Sequence, residues 1–125
     1  MAKADLYAAL KALQPIAPLM QSEWFDLKYE EDTSGKDFVA PSLYEACPLT
    51  QLALTNELIT LDQLATASEL GREEDTIYAP LRKRYHVQTR TLDDFVTQWD
   101  DWTTPVKPDI SIEDLISLVD ELANL

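Results

Sequence analysis

At the head of four stretches of this chain a serine or threonine stands three residues ahead of a carboxylate or an amide: Ser42 before Glu45, Thr60 before Gln63, Thr91 before Asp94 and Ser111 before Asp114. Each pair is the pattern of a capping box, in which two side chains satisfy backbone N–H groups that the first turn of a helix leaves without partners. Apolar residues recur at intervals of three and four after these boxes, so the chain reads as a series of short helices with their own start signals. Prolines and Gly71 punctuate the series. Such a pattern favours helices packed on one another over a large sheet.

The spacing of Leu6, Leu10 and Leu13 predicts a first helix over about Ala2 to Leu13, stopped by Pro15 and Pro18. Phe25, Leu27 and Tyr29 then alternate with Asp26 and Lys28, which is a strand pattern. Glu30 to Gly35 is turn chemistry, and Lys36 to Ala40 returns as a second strand that Pro41 ends. Ser42 to Glu45 is the first box, and Pro48 opens a helix with Leu49, Leu52, Ala53 and Asn56 on one stripe. Thr60 starts a helix with Leu61, Leu64, Ala65 and Leu70 inward and Gly71 closing it. Glu73, Glu74 and Asp75 suit the positive end of the next helix, with Ile77, Leu81 and Tyr85 buried, Pro80 as an interruption and Arg82, Lys83 and Arg84 near its end.

Thr91 opens a helix to about Trp102 whose Leu92, Phe95, Val96, Trp99 and Trp102 form one apolar face. A stiff segment bounded by Pro105 and Pro108 leads to the last helix, capped by Ser111, with Ile112, Leu115, Ile116, Val119 and Leu122 as its stripe and Leu118 and Leu125 widening it. The expected fold is α-dominated α+β: a compact domain of five to six helices with one β-hairpin near residues 24–40. Residues 1–104 carry the helices and hairpin, and residues 105–125 carry the linker and a C-terminal amphipathic helix packed on the same domain.

An apolar content of 46% with three Trp, five Tyr and three Phe supports a packed core despite a net charge of −13. No apolar run approaches the roughly 20 residues that span a bilayer, and the first residues lack a secretory apolar stretch, which points to the cytoplasm. The lone Cys47 fits a reducing compartment.

The charge is unevenly spread. Arg82, Lys83, Arg84 and Arg90 lie in a nine-residue stretch without an acid, while the other 116 residues carry 23 acids against six bases. That field repels nucleic acid and anionic membranes and attracts a basic protein surface, the partner the composition favours. The basic stretch reads as a counter-charge for the chain's own acids or for those of a second copy, which makes a homo-oligomer the alternative.

Chemistry-bearing motifs are sparse. Thr60 to Arg84 has helix-turn-helix spacing, but Glu73, Glu74 and Asp75 stand where the second helix would meet phosphates, which argues against DNA. Glu30, Asp32, Ser34 and Gly35 match part of a calcium loop, whose ninth and twelfth positions fall on Phe38 and Pro41 and cannot ligate. One Cys and one His cannot build a zinc site. Cys47 with His86 is the only nucleophile–base combination of its kind, and Cys47 sits in an apolar setting while His86 sits among cations. The pairs Asp93/Asp94 and Asp100/Asp101 beside Trp99 and Trp102 have the look of a sugar site, though acid-rich helices produce such neighbours by chance. The expectation is no enzyme, no cofactor and no metal.

Asp100 and Asp101 fall in the last turn of a helix, where the macrodipole disfavours acids by about 0.3–1 kcal/mol each. With Asp93 and Asp94 they form a run of carboxylates opposite an apolar face, a spacing that imitates phosphates. The expected function is therefore a small acidic binding protein on a basic partner surface, of the kind of an immunity protein, an antitoxin or a phage-encoded inhibitor of a nucleic-acid-handling protein. Asp93, Asp94, Asp100 and Asp101 are its first expected contacts, and Glu73, Glu74 and Asp75 its second. Arg82, Lys83, Arg84 and Arg90 would serve self-association or an anion. The alternatives are an assembly component, such as a phage particle protein, and a helix-turn-helix regulator.

Overall fold

The computed structural model describes residues 2–21, 23–29, 41–101 and 112–123. Among these, six helices and one antiparallel strand pair make an α-dominated α+β fold. The order is α1 (Ala2–Lys11), β1 (Phe25–Tyr29), β2 (Pro41–Ala46), α2 (Pro48–Thr55), α3 (Leu61–Leu70), α4 (Glu73–Tyr85), α5 (Thr89–Asp100) and α6 (Ile112–Ala123). No described helix is long and apolar enough to cross a membrane.

One apolar core joins all six helices. Leu6 and Leu10 of α1, Leu49 of α2, Leu64 of α3, Ile77 and Leu81 of α4, Leu92 and Phe95 of α5, and Leu115 and Val119 of α6 have no exposed surface. α6 lies along α1 and also meets α5, and Lys11 and Asp120 close that side with an ion pair at 2.6 Å. Both partners are about half exposed, which keeps this contact a small contributor beside the apolar stripe of Leu115, Leu118, Val119 and Leu122.

Local signals hold where nothing overrides them. Thr60 accepts from the Gln63 N–H at 3.2 Å while the Gln63 side chain accepts from the Thr60 N–H at 2.8 Å, a complete capping box. Gly71 ends α3 at φ +66°, a left-handed conformation that suits glycine. Pro48 opens α2.

Several expectations need correction. Ser42 to Glu45 start no helix: they belong to β2, where the Ser42 hydroxyl donates to the Lys28 carbonyl at 3.2 Å. The return strand thus lies at Pro41–Ala46, and residues 36–40 fall outside the described ones, as do the turn and calcium-loop match at 30–35, Trp102, the linker, Ser111 and Leu125. α5 begins at Thr89 behind Gln88, two residues before the Thr91 box. α4 runs through Pro80 unbroken, because Ile77, Tyr78, Leu81 and Tyr85 anchor both sides of the missing hydrogen bond in the core. Leu70 is 63% exposed, since the buried pair Leu64 and Ala67 points α3 inward along another line. Asn56 is exposed rather than on the α2 stripe, and its amide donates to the Tyr85 hydroxyl at 3.0 Å.

Gln51 is the hub of the connection from α1 to β1. Gln51 of α2 has no exposed surface, and its carbonyl accepts from the Ile16 N–H at 2.9 Å while its amide donates to the carbonyls of Ala17 at 2.9 Å and Ala46 at 3.1 Å. Met20 N–H and Ala46 N–H then bond across to Ala46 and Pro18 carbonyls, which lays residues 18–20 beside the end of β2. On its other side β2 pairs with β1, setting Leu27 opposite Leu43 and Asp26 opposite Glu45. The latter are like charges, a mildly destabilising match.

Candidate functional site

Trp24, just before β1, is fixed through its backbone and meets the helices through its ring. Its carbonyl accepts from the Thr50 hydroxyl at 2.8 Å and from the Cys47 N–H at 3.0 Å, which ties it to the start of α2. Its indole meets Tyr78 of α4 edge to face, with centroids 5.4 Å apart at 87°. The Tyr78 hydroxyl in turn donates to Asp93 of α5 at 2.8 Å. Burial, then the Asp93 hydrogen bond and charge and the Glu74 charge, push the Tyr78 hydroxyl far above the ordinary tyrosine range. Carboxylates from the start of α4 and from α5 thus face one hydroxyl.

This carries a pH consequence. A tyrosine in the unfolded chain ionises near 10.0, while folded Tyr78 stays protonated above that, so stability is intact below about pH 10 and declines as the pH rises beyond it. Denaturant unfolding at about pH 8 and about pH 11 should show Tyr78→Phe losing less stability between the two than the unaltered chain; an equal loss would contradict the assignment.

At Trp24 lies a partly enclosed cavity of about 160 Å³, lined by Trp24, Cys47, Phe95, Val96 and Trp99 together with Glu23 and Asp100. A wider concavity of about 380 Å³ shares Glu23 and Trp24 and extends to Phe25, Ser68 and Glu73. Trp99, whose indole N–H donates to the Met20 carbonyl at 2.7 Å and whose ring stacks near Phe95, holds the inner wall in place.

The expected contact residues are therefore split. Asp93 and Glu74 converge on Tyr78, while Glu73 and Asp100 line the concavities at Trp24. Asp94 lies near Tyr7 of α1, whose hydroxyl is pushed up by burial and by that charge. Asp75 and Asp101 are exposed, Asp101 as the residue that ends α5. Glu23, Trp24 and Tyr78 were not singled out by sequence reasoning. A signal was present: Trp24 falls in phase with Asp26 and Lys28, the polar side of the strand alternation.

Among the described residues the basic stretch does not fold back on the acids. Arg82, Lys83 and Arg84 fill the last turn of α4, where cations are favoured, Arg90 lies in the first turn of α5, and all four are exposed. None of the four forms an ion pair with a described carboxylate; Arg84 lies over the Tyr85 ring at 5.2 Å. Because all four side chains reach outward, internal counter-charge is not their role among the described residues.

Cys47 and His86 do not make a nucleophile and base. Cys47 precedes α2, where a helix N-terminus lowers a thiol pKa, but burial outweighs this and the Thr50 hydrogen bond and pushes the thiol up, keeping it protonated. His86 is exposed at the far end of α4 in a left-handed conformation at φ 54°. α3 and α4 are consecutive helices in contact, joined at Gly71, with Ala67 and Ile77 buried, and Glu74 and Asp75 stand exposed at the head of the second helix. Among the described residues no group of three or more His, Cys, Asp or Glu could hold a metal ion. In comparisons with protein-family models, with curated proteins and with solved structures, nothing matches this chain.

Proposed function

We propose that this chain is a non-enzymatic binding protein that occupies a basic surface of a protein partner, in the manner of an immunity protein, an antitoxin or a phage-encoded inhibitor of a nucleic-acid-handling protein. The observation that carries the reading is the convergence of acids from separate elements on one aromatic pair: Glu74 and Asp93 at Tyr78, Glu23, Glu73 and Asp100 at Trp24. Scattered solubilising acids have no reason to gather about aromatic rings, whereas a protein interface favours a part-exposed aromatic anchor, here Trp24 with Tyr78 buried behind its edge-to-face contact, and charge complementarity around it. The overall charge of −13 speeds encounter with a basic surface and opposes nucleic acid.

Capture from an extract of the cells that make the protein, at low and high salt and with mass-spectrometric identification, tests the reading. Glu23→Lys, Glu73→Lys and Glu74→Lys together reverse carboxylates of that convergence and spare the Tyr78–Asp93 bond. The expected result is a partner with a basic surface, released as salt rises to about 0.5 M, where screening lengths fall to a few ångströms, and lost with the triple variant. Retention indifferent to both would refute the reading.

The exposed basic stretch supports a second reading, in which copies of the chain assemble with Arg82, Lys83, Arg84 and Arg90 against acids of a neighbour. Sizing at low and high salt separates the two: a monomer at both ends the assembly reading, and salt-sensitive oligomers abolished by reversing Arg82, Lys83 and Arg84 favour it.

A further inference from the structure

Glu23 and Trp24 belong to both concavities, and the chemistry of the walls restricts what can enter them. The inner cavity, at about 160 Å³, is comparable to an engineered apolar cavity of about 150 Å³ that admits benzene. A small planar group is of comparable size. Of the aromatic lining only Trp24 is open to a ligand, Phe95 and Trp99 being buried, and Glu23 and Asp100 share the lining while the wider concavity adds Glu73. An anion is repelled from such a lining, and a wholly apolar group gains nothing from the carboxylates. A flat cation uses every part of it, because a guanidinium stacks on an aromatic ring and presents forked N–H donors to carboxylates. The ammonium of lysine is a more strongly hydrated point charge and cannot stack.

We infer that the concavities at Glu23 and Trp24 form a receptor for one arginine side chain of the partner, its guanidinium against the indole and its donors within reach of the lining carboxylates. The receptor deepens the binding reading above and rests on it. Trp24 is suited to the task because its backbone is fixed by Thr50 and Cys47 and its ring by Tyr78, while the side chain stays only half-buried. A pre-positioned anchor loses little freedom on binding.

The test is a titration of the full chain followed by NMR at the indole N–H of Trp24, assigned with Trp24→Phe. The probes are N-acetyl-arginine amide, the same molecule with neutral citrulline, and N-acetyl-lysine amide. The arginine probe is expected to shift the Trp24 resonance saturably, with the citrulline probe at least about tenfold weaker and the lysine probe several-fold weaker. Since Trp24→Phe also disturbs the contact with Tyr78, the deciding variant is Glu23→Gln at an exposed position, which should weaken the arginine probe roughly three- to tenfold. Glu69→Gln on α3, outside both concavities, should leave it unchanged.

No shift at Trp24, equal binding of the three probes, or indifference to Glu23→Gln would each overturn the receptor. If the arginine probe fails while a basic partner is still retained in a salt-dependent way, the receptor falls and the basic-surface reading stands. If the probe binds as described and no basic partner is retained, the receptor stands and the partner reading falls.

Discussion

Gln51→Leu should lower the unfolding free energy by about 2–4 kcal/mol, because each buried polar group left without a partner costs about 1–3 kcal/mol. The replacement is close in volume, so packing is roughly conserved and the loss is polar. It leaves the Ile16 N–H and the Ala17 carbonyl without their Gln51 partners; the Ala46 carbonyl keeps the Met20 N–H. Water reaches the first two only in part, as these bonds are half-buried. Gln51→Glu makes a sharper control. One oxygen of the introduced carboxyl can still accept from Ile16, but the other then faces the carbonyls of Ala17, Pro18 and Ala46, which need a donor. A carboxylate held there is raised in pKa, so its folded form is favoured below the unfolded glutamate value and lost as the pH rises through the folded one. Gln51→Glu should therefore be worse than Gln51→Leu at about pH 7.5 and recover toward about pH 5. Denaturant melts give both numbers, and a loss below about 1 kcal/mol for Gln51→Leu would show that the α1–β1 connection does not depend on this side chain.

Trp99→Ala should cost about 3–5 kcal/mol, the range for truncating a large aromatic in a filled core. Trp99 is 1% exposed, stacks near Phe95 with rings 6.4 Å apart and donates to the Met20 carbonyl. Trp99→Phe keeps most of the ring contact and removes the donor, so it should cost about 1–3 kcal/mol. The difference between the two variants separates packing from hydrogen bonding. Equal losses would mean that the bond to the 18–20 segment carries the stability and the ring does not. Because Trp99 also walls the cavity beside Trp24, the alanine variant enlarges that cavity.

The fold was legible wherever the governing interaction is local. Thr60, Gln63 and Gly71 lie within one helix of each other, and their signals need nothing from the rest of the chain. The box at Ser42 failed for the opposite reason. Its residues pair with β1 across a gap in sequence, and a strand partner overrides a helix start that no helical turn follows. At Thr91 a helix was rightly expected but the box does not cap it: Thr91 lies in the first turn of α5, which starts at Thr89 behind Gln88, a residue that makes no side-chain cap bond. The acids that gather at Trp24 and Tyr78 come from α4, α5 and the approach to β1, a convergence that periodicity cannot express. Likewise Gln51 carries no sequence mark of being a hub: its neighbours Leu49 and Leu52 only show that α2 is buried.

α4 carries Glu73, Glu74 and Asp75 in its first turn and Arg82, Lys83 and Arg84 in its last. The two groups are about 13 Å apart along the axis, so three charges of each sign oppose the helix macrodipole and exceed its half-charges several-fold. The helix is in effect a compass needle set in the molecule. Any cationic surface would exert a torque on it that favours the acidic end facing forward, an orienting effect that salt screens.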